Sequence, residues 1–236
     1  MKRFVTALFL FLIAHSAISA PARIVVLRHG EKENAYALCD VGQDRSLALK
    51  AQYLGKGAEK SLFPTAPPAA FFAITLHTLE LIAPSADSWG LPVTTYAVVP
   101  LKSMSDAETT VWLNRQTQRA AAEVMTDSRW RGQTVVMAWE HKHIANHKLQ
   151  KSESDALIEL RQLLKIDQLP EPYRHRVPHT WSGSNYNFFW VIDYDTSGQP
   201  SAFNIMRQDF TGRFSNVPNN DWGAPEGLPS SSLCKQ

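Results

Sequence analysis

The chain has 236 residues, with 24 basic and 22 acidic side chains for a formal net charge of +2, 44% hydrophobic residues and two cysteines. That balance excludes a strongly basic nucleic-acid binder, a disordered polar chain and a cysteine-dense miniature scaffold. The length suits one α/β domain.

Lys2 and Arg3 precede an almost wholly apolar run from Phe4 to Ala14, followed by small residues, which is the pattern of an export signal. The run is too short to cross a bilayer, which takes about 20 apolar residues. Ala20-Pro21-Ala22 fits the small-x-small cleavage pattern and predicts a signal peptide over residues 1–22 and a single domain over 23–236. Cuts after Ser19 or Ala20 are the alternatives. Loss of Lys2 and Arg3 leaves 22 basic residues against 22 acidic ones. The exported form is then formally neutral, with nothing that points to nucleic acid and no stable membrane anchor. The expected location is periplasmic or secreted. Cys39 and Cys234 both survive processing, and an even count in an exported chain favours one disulfide over two thiols.

Ile24 to Leu27 is a β-branched, apolar run of strand length that ends in Arg28-His29-Gly30-Glu31-Lys32. Gly30 permits a sharp turn, and loops at the carboxyl ends of α/β strands are where ligands bind. Arg28 offers a planar fork of donors that suits two phosphoryl oxygens, and a neutral His29 can attack phosphorus. Asp44 to Lys60 reads as a helix, and Ala69 to Leu76 as a strand leading to His77. Glu80 to Trp89 is a second helix stopped by Gly90 and Pro92. Val93 to Val99 is extended, Ala107 to Thr126 is the longest helical segment, and Gln133 to Trp139 is a strand that ends in Glu140-His141. Ser152 to Lys165 has helical leucine periodicity with Ser152 as its cap. Asn187 to Asp193 and Ala202 to Arg207 read as a hairpin, and the tail from Asn216 has no periodicity. This alternation predicts a three-layer α/β/α sandwich with a mostly parallel sheet.

The second strand repeats the logic of the first by delivering polar residues at its carboxyl end. On Arg28-His29-Gly30 after the first strand and His141 after the later one, the chain resembles the histidine phosphatase superfamily, the phosphoglycerate mutase-like fold. The resemblance implies that His29 is the nucleophile, that Arg28 binds phosphate and that His141 holds the transferring group. It further implies a phosphatase acting on a small phosphorylated substrate, with no metal or nucleotide cofactor. The family's second arginine, in S-P-x-x-R-x-x-x-T-A ahead of a helix and G-L-P-V, is absent. Counting back from Gly90-Leu91-Pro92-Val93 places His77 at its position.

Glu140 is the first candidate for general acid, followed by Asp106 and Glu108. Lys32 and Arg45 are candidates to add positive potential near the phosphate. Trp181 to Asn187 is read either as a pocket rim or as core packing. His141, His143 and His147 raise a zinc reading, but the chain lacks H-E-x-x-H order and a clear third ligand. The other alternative is a non-catalytic protein that binds a phospho-ligand on the same fold.

Overall fold

The computed structural model describes residues 20–153, 155–225, 227–229 and 232–234. The apolar stretch read as an export signal lies outside the described residues up to Ser19. Six strands form one sheet in the order β3-β2-β4-β1-β5-β6. They are β1 (Arg23–Arg28), β2 (Ala70–Ala73), β3 (Val93–Thr95), β4 (Thr134–Trp139), β5 (Phe188–Tyr194) and β6 (Pro200–Arg207). The first four run parallel, and the hairpin β5-β6 joins antiparallel along β1.

Alternation along the strands builds the three layers. Ile24 and Val26 of β1, with Phe72, Met137 and Trp190, face α3 (Asp106–Thr126) and α6 (Leu160–Leu163). Val25 and Leu27, with Phe71, Val136 and Phe189, face α1 (Asp40–Leu49) and α2 (Leu76–Ser88). Two short helices, α4 (His141–Ile144) and α5 (His147–Ser152), follow β4. Among the described residues, no helix is long and apolar enough to cross a membrane.

The structure departs from the expected elements at three helices. The first begins at Asp40 instead of Asp44 and, after a π-helical turn over Lys50–Leu54, ends short of Lys60. α2 starts at Leu76 instead of Glu80, because Thr75 and Thr78 form a reciprocal cap ahead of it. The helix expected over Ser152–Lys165 is broken. Ser152 donates to the Leu149 carbonyl at the end of α5 and caps nothing, Leu157 is exposed, and only Leu160–Leu163 is α-helical. Glu159, fully buried, instead accepts the Asn146 N–H at 2.7 Å. A disulfide joins Cys39, at the start of α1, to Cys234 in the tail.

Candidate active site

β1 and β4 are parallel neighbours with Arg28 opposite Trp139, and the His29 N–H donates to the Trp139 carbonyl at 2.9 Å. The two strands therefore stop at the same level, and His29 emerges beside Glu140 and His141. From β1 the chain passes to α1 on one face, and from β4 to α4 and α6 on the other. The crevice between such strands is where open α/β sheets bind ligands. A cavity of about 360 Å³ adjoins it, and its lining includes Lys32, His77, Asp106, Glu140, His141 and His143.

His29 is buried, and its tautomer follows from its neighbours. Nδ1 lies 2.8 Å from the Gly30 carbonyl, an acceptor only, so it carries the hydrogen. Nε2 is left with its lone pair, 3.0 Å from the Arg28 guanidinium, 3.2 Å from His141 Nδ1 and 3.5 Å from Glu140 Oε2. Burial drives His29 well below the ordinary histidine range. The Glu140 carboxylate works upward against this, and the charges of Arg28 and Lys32 add to the lowering. His141 is pushed down to about 3, by burial first and by the charge of Arg28 second. Both imidazoles are neutral at physiological pH, the state in which a histidine attacks phosphorus.

Arg28 is 2% exposed. Its guanidinium donates to the carbonyls of Gly183 (2.6 Å) and Ser182 (3.2 Å) and lies 3.7 Å from the centre of the Tyr186 ring. Sequence reasoning did not find this clamp, because two of its three parts are backbone carbonyls. In the Trp181–Asn187 segment, Trp181 packs in the core against Trp190 and Trp222, as the packing reading expects, while the Ser182 and Gly183 carbonyls and the Tyr186 ring hold Arg28.

His77 sits in the first turn of α2. Its Nδ1 faces the Ala35 carbonyl at 3.2 Å and its Nε2 lies 2.5 Å from Glu140 Oε1. With Nδ1–H given to the carbonyl, a further hydrogen is shared between Nε2 and Oε1, while the other carboxylate oxygen, Oε2, lies 3.5 Å from His29 Nε2. Burial works upward on Glu140, but the neighbouring His29 ring, the His77 hydrogen bond and the Lys32 charge outweigh it and hold the carboxyl well below its usual range.

The remaining candidates divide. Lys32 lines the cavity and its charge is felt at His29, Glu140 and His141. Asp106 lies on the same cavity, whereas Glu108 is spent in the capping box of α3 with Ser105. Arg45 is not brought to the site. It is 1% exposed and forms a bidentate pair with Glu31 (2.6 and 2.9 Å), with further bonds to Gln208 and the Pro218 carbonyl. Gly30 has no left-handed backbone. A Cβ there would lie 3.1 Å from side-chain methyls of Leu38 and Leu81, tight enough that they would have to shift by a few tenths of an ångström. Gly42, unnoticed in the sequence, lets α1 press on the motif loop, since a Cβ would sit 2.2 Å from the Glu31 carbonyl oxygen.

The three histidines of the zinc reading do not converge. His143 turns to Asn114, at 2.9 Å, and His147 stands edge-on to His179. A different trio, His29, Glu140 and His141, places ligand atoms within 4.8 Å of one another. The guanidinium 3.0 Å from His29 makes that spot better suited to an anion than to a cation.

The fold is similar to that of the protein histidine phosphatase SixA complexed with tungstate, at 15% identity over 79% of this chain and 97% of that one, with a TM-score of 0.36. It is also similar to a mycobacterial glucosyl-3-phosphoglycerate phosphatase. The native form matches at 13% identity, 80% and 99% coverage and a TM-score of 0.41, and the complex with inorganic phosphate at 13%, 88% and 100%, and 0.42. No protein-family model matches the sequence, and no curated protein matches it.

Proposed function

We propose that this protein is an exported, metal-independent phosphomonoesterase that works through a phosphohistidine on His29. The observation that carries the reading is the His29 ring. Its Nδ1–H is locked on the Gly30 carbonyl, and its Nε2 lone pair is directed at a point shared by Arg28, His141 and Glu140. A phosphoryl group placed there meets a nucleophile, a guanidinium and an imidazole donor together, with Lys32 adding positive potential.

Nε2 attacks phosphorus and the bond to the leaving oxygen breaks. Glu140 gives that oxygen the one proton it shares with His77 across the 2.5 Å contact and is left as a carboxylate. Water then attacks the phosphorus, the P–N bond breaks, Glu140 takes the proton from water, and phosphate leaves with His29 restored. The dianionic substrate favours protonation of the carboxyl it meets, so its arrival loads the acid. His77 thus fills the arginine's place in a different way, as the group that shares a proton with Glu140. Export is supported by Lys2-Arg3 and the apolar run that follows, together with a disulfide of the kind that persists in oxidising compartments.

The test is phosphate release by residues 20–236 from a panel of phosphomonoesters between about pH 5 and 8, with a chelator present. Release that survives chelation and falls at least about 10³-fold in His29→Ala is the expected result. Phosphate binding without release from any ester would instead identify a phospho-ligand binding protein.

A further inference from the structure

The cavity beside His29 extends past the phosphate position, and its outer part must hold whatever the phosphate is attached to. That part is lined by Asp106, Thr109, Thr110, Lys142 and His143, with Leu113 as an apolar wall. Its one cation and one carboxylate balance, so it selects neither an acidic nor a basic leaving group by charge. Its remaining polar groups are hydrogen-bonding ones.

His143 stands out among them. It is 3% exposed, and its Nε2 lies 2.9 Å from Asn114 Oδ1. Since that oxygen only accepts, Nε2 carries the hydrogen and Nδ1 holds a lone pair. Nδ1 is buried and has no hydrogen-bond partner. A buried acceptor without a donor is unfavourable, and here the residue bearing it borders the cavity.

Resting on the phosphatase reading, we propose that His143 is a specificity-determining residue whose Nδ1 accepts a hydrogen bond from a hydroxyl on the leaving group, so that the preferred substrates are phosphate esters of polyols or sugars. Burial pushes His143 down to about 4, which keeps this acceptor in place throughout the neutral range. The Thr109 and Thr110 hydroxyls donate to the Ser105 and Asp106 carbonyls of their own helix and keep lone pairs for further hydroxyls. Asp106 adds a carboxylate acceptor at the rim. Three kinds of acceptor around one apolar wall suit a molecule with several O–H donors and C–H faces, and they suit a bare alkyl or aryl group poorly.

The experiment compares glycerol 1-phosphate with propyl phosphate, esters that differ only in two hydroxyls, by kcat/KM in the wild-type protein, in His143→Phe and in His143→Phe combined with Asn114→Leu. The double variant leaves neither partner unpaired, and thermal melting reports its folding. The wild-type protein is expected to favour the glycerol ester by about 10–100-fold. Both variants are expected to bring the ratio within about threefold of one, with the loss concentrated on the glycerol ester. Equal turnover of the two esters by wild-type protein would overturn the proposal while leaving the phosphatase reading standing, and so would variants that keep the preference. Release from neither ester, with His29→Ala indistinguishable from wild type across the wider panel, would overturn the phosphatase reading and this proposal with it.

Discussion

Two buried arginines, Arg28 at the end of β1 and Arg45 on α1, are used in different ways. Arg45 donates to the Glu31 carboxylate, so its charge is cancelled where it is made. Arg28 donates to the carbonyls of Ser182 and Gly183, and its charge is felt at both His29 and His141. Burial alone does not separate an arginine that ties a helix to a neighbouring loop from one whose charge reaches the histidines at the strand ends.

The largest effect should come from breaking the cancelled pair. Arg45→Met leaves the Glu31 carboxylate buried and unpaired, and a loss of about 3–5 kcal/mol in denaturant unfolding is expected, with turnover per folded molecule retained. Collapse of turnover in folded Arg45→Met protein would erase the distinction. Arg28→Met should do the reverse, cutting kcat/KM by about 10²–10³-fold while the melting temperature moves little. Glu140→Gln sharpens the picture of the acid. Alkyl phosphates, whose leaving oxygens need a proton, are expected to slow by about 10²-fold, and aryl phosphates with acidic leaving groups much less. Equal slowing of both would remove Glu140 from that role.

A smaller effect separates the site from the rest of the core by pH. His141 and His143 are held near 3 and 4 in the folded protein, and His29 is also lowered, against about 6.5 when unfolded. The unfolded chain therefore takes up protons that the folded one refuses. Stability is full above about pH 6.5 and is lost as pH falls toward the folded values, at about 1.4 kcal/mol per unit for each histidine. Glu159, raised to about 7 by burial, has the opposite sign and offsets one histidine's share between its ordinary value and 7. The melting temperature should fall from pH 7 to pH 5, and a flat profile would show that the site histidines are protonated without cost. The smallest effect lies at the other end of β1. Gly132 donates to the Ala20 carbonyl, Ala22 donates to Gln133, and Tyr194 donates to Ala22. A chain beginning at Arg23 should be less stable than one beginning at Ala20 by about 1 kcal/mol.

The layered fold was legible in the sequence because β1, β4 and β5 are apolar runs bounded by polar residues, and α3 is long enough for composition to speak. Ser152–Lys165 misled because leucine spacing says nothing about a buried glutamate that leaves the helix to cap another segment. At the site, Arg28, His29, Glu140, His141 and His77 were visible as side chains after strands or at a helix start. Arg45 was misassigned because sequence proximity cannot show that Glu31 lies beside it. The Arg28 clamp was invisible for a different reason, since a carbonyl oxygen belongs to every residue and marks none.

The level ending of β1 and β4 also decides which genetic changes this domain can accept. Successive residues of a strand rise about 3.3 Å and point to opposite faces. One residue inserted into β4 between Thr134 and Trp139 would carry His141 that far from His29 or turn its neighbours out of the core. The two strands act as a gauge block for His29 and His141. Among descendants of this chain, substitutions should accumulate in both strands, while insertions and deletions are confined to the loops between them.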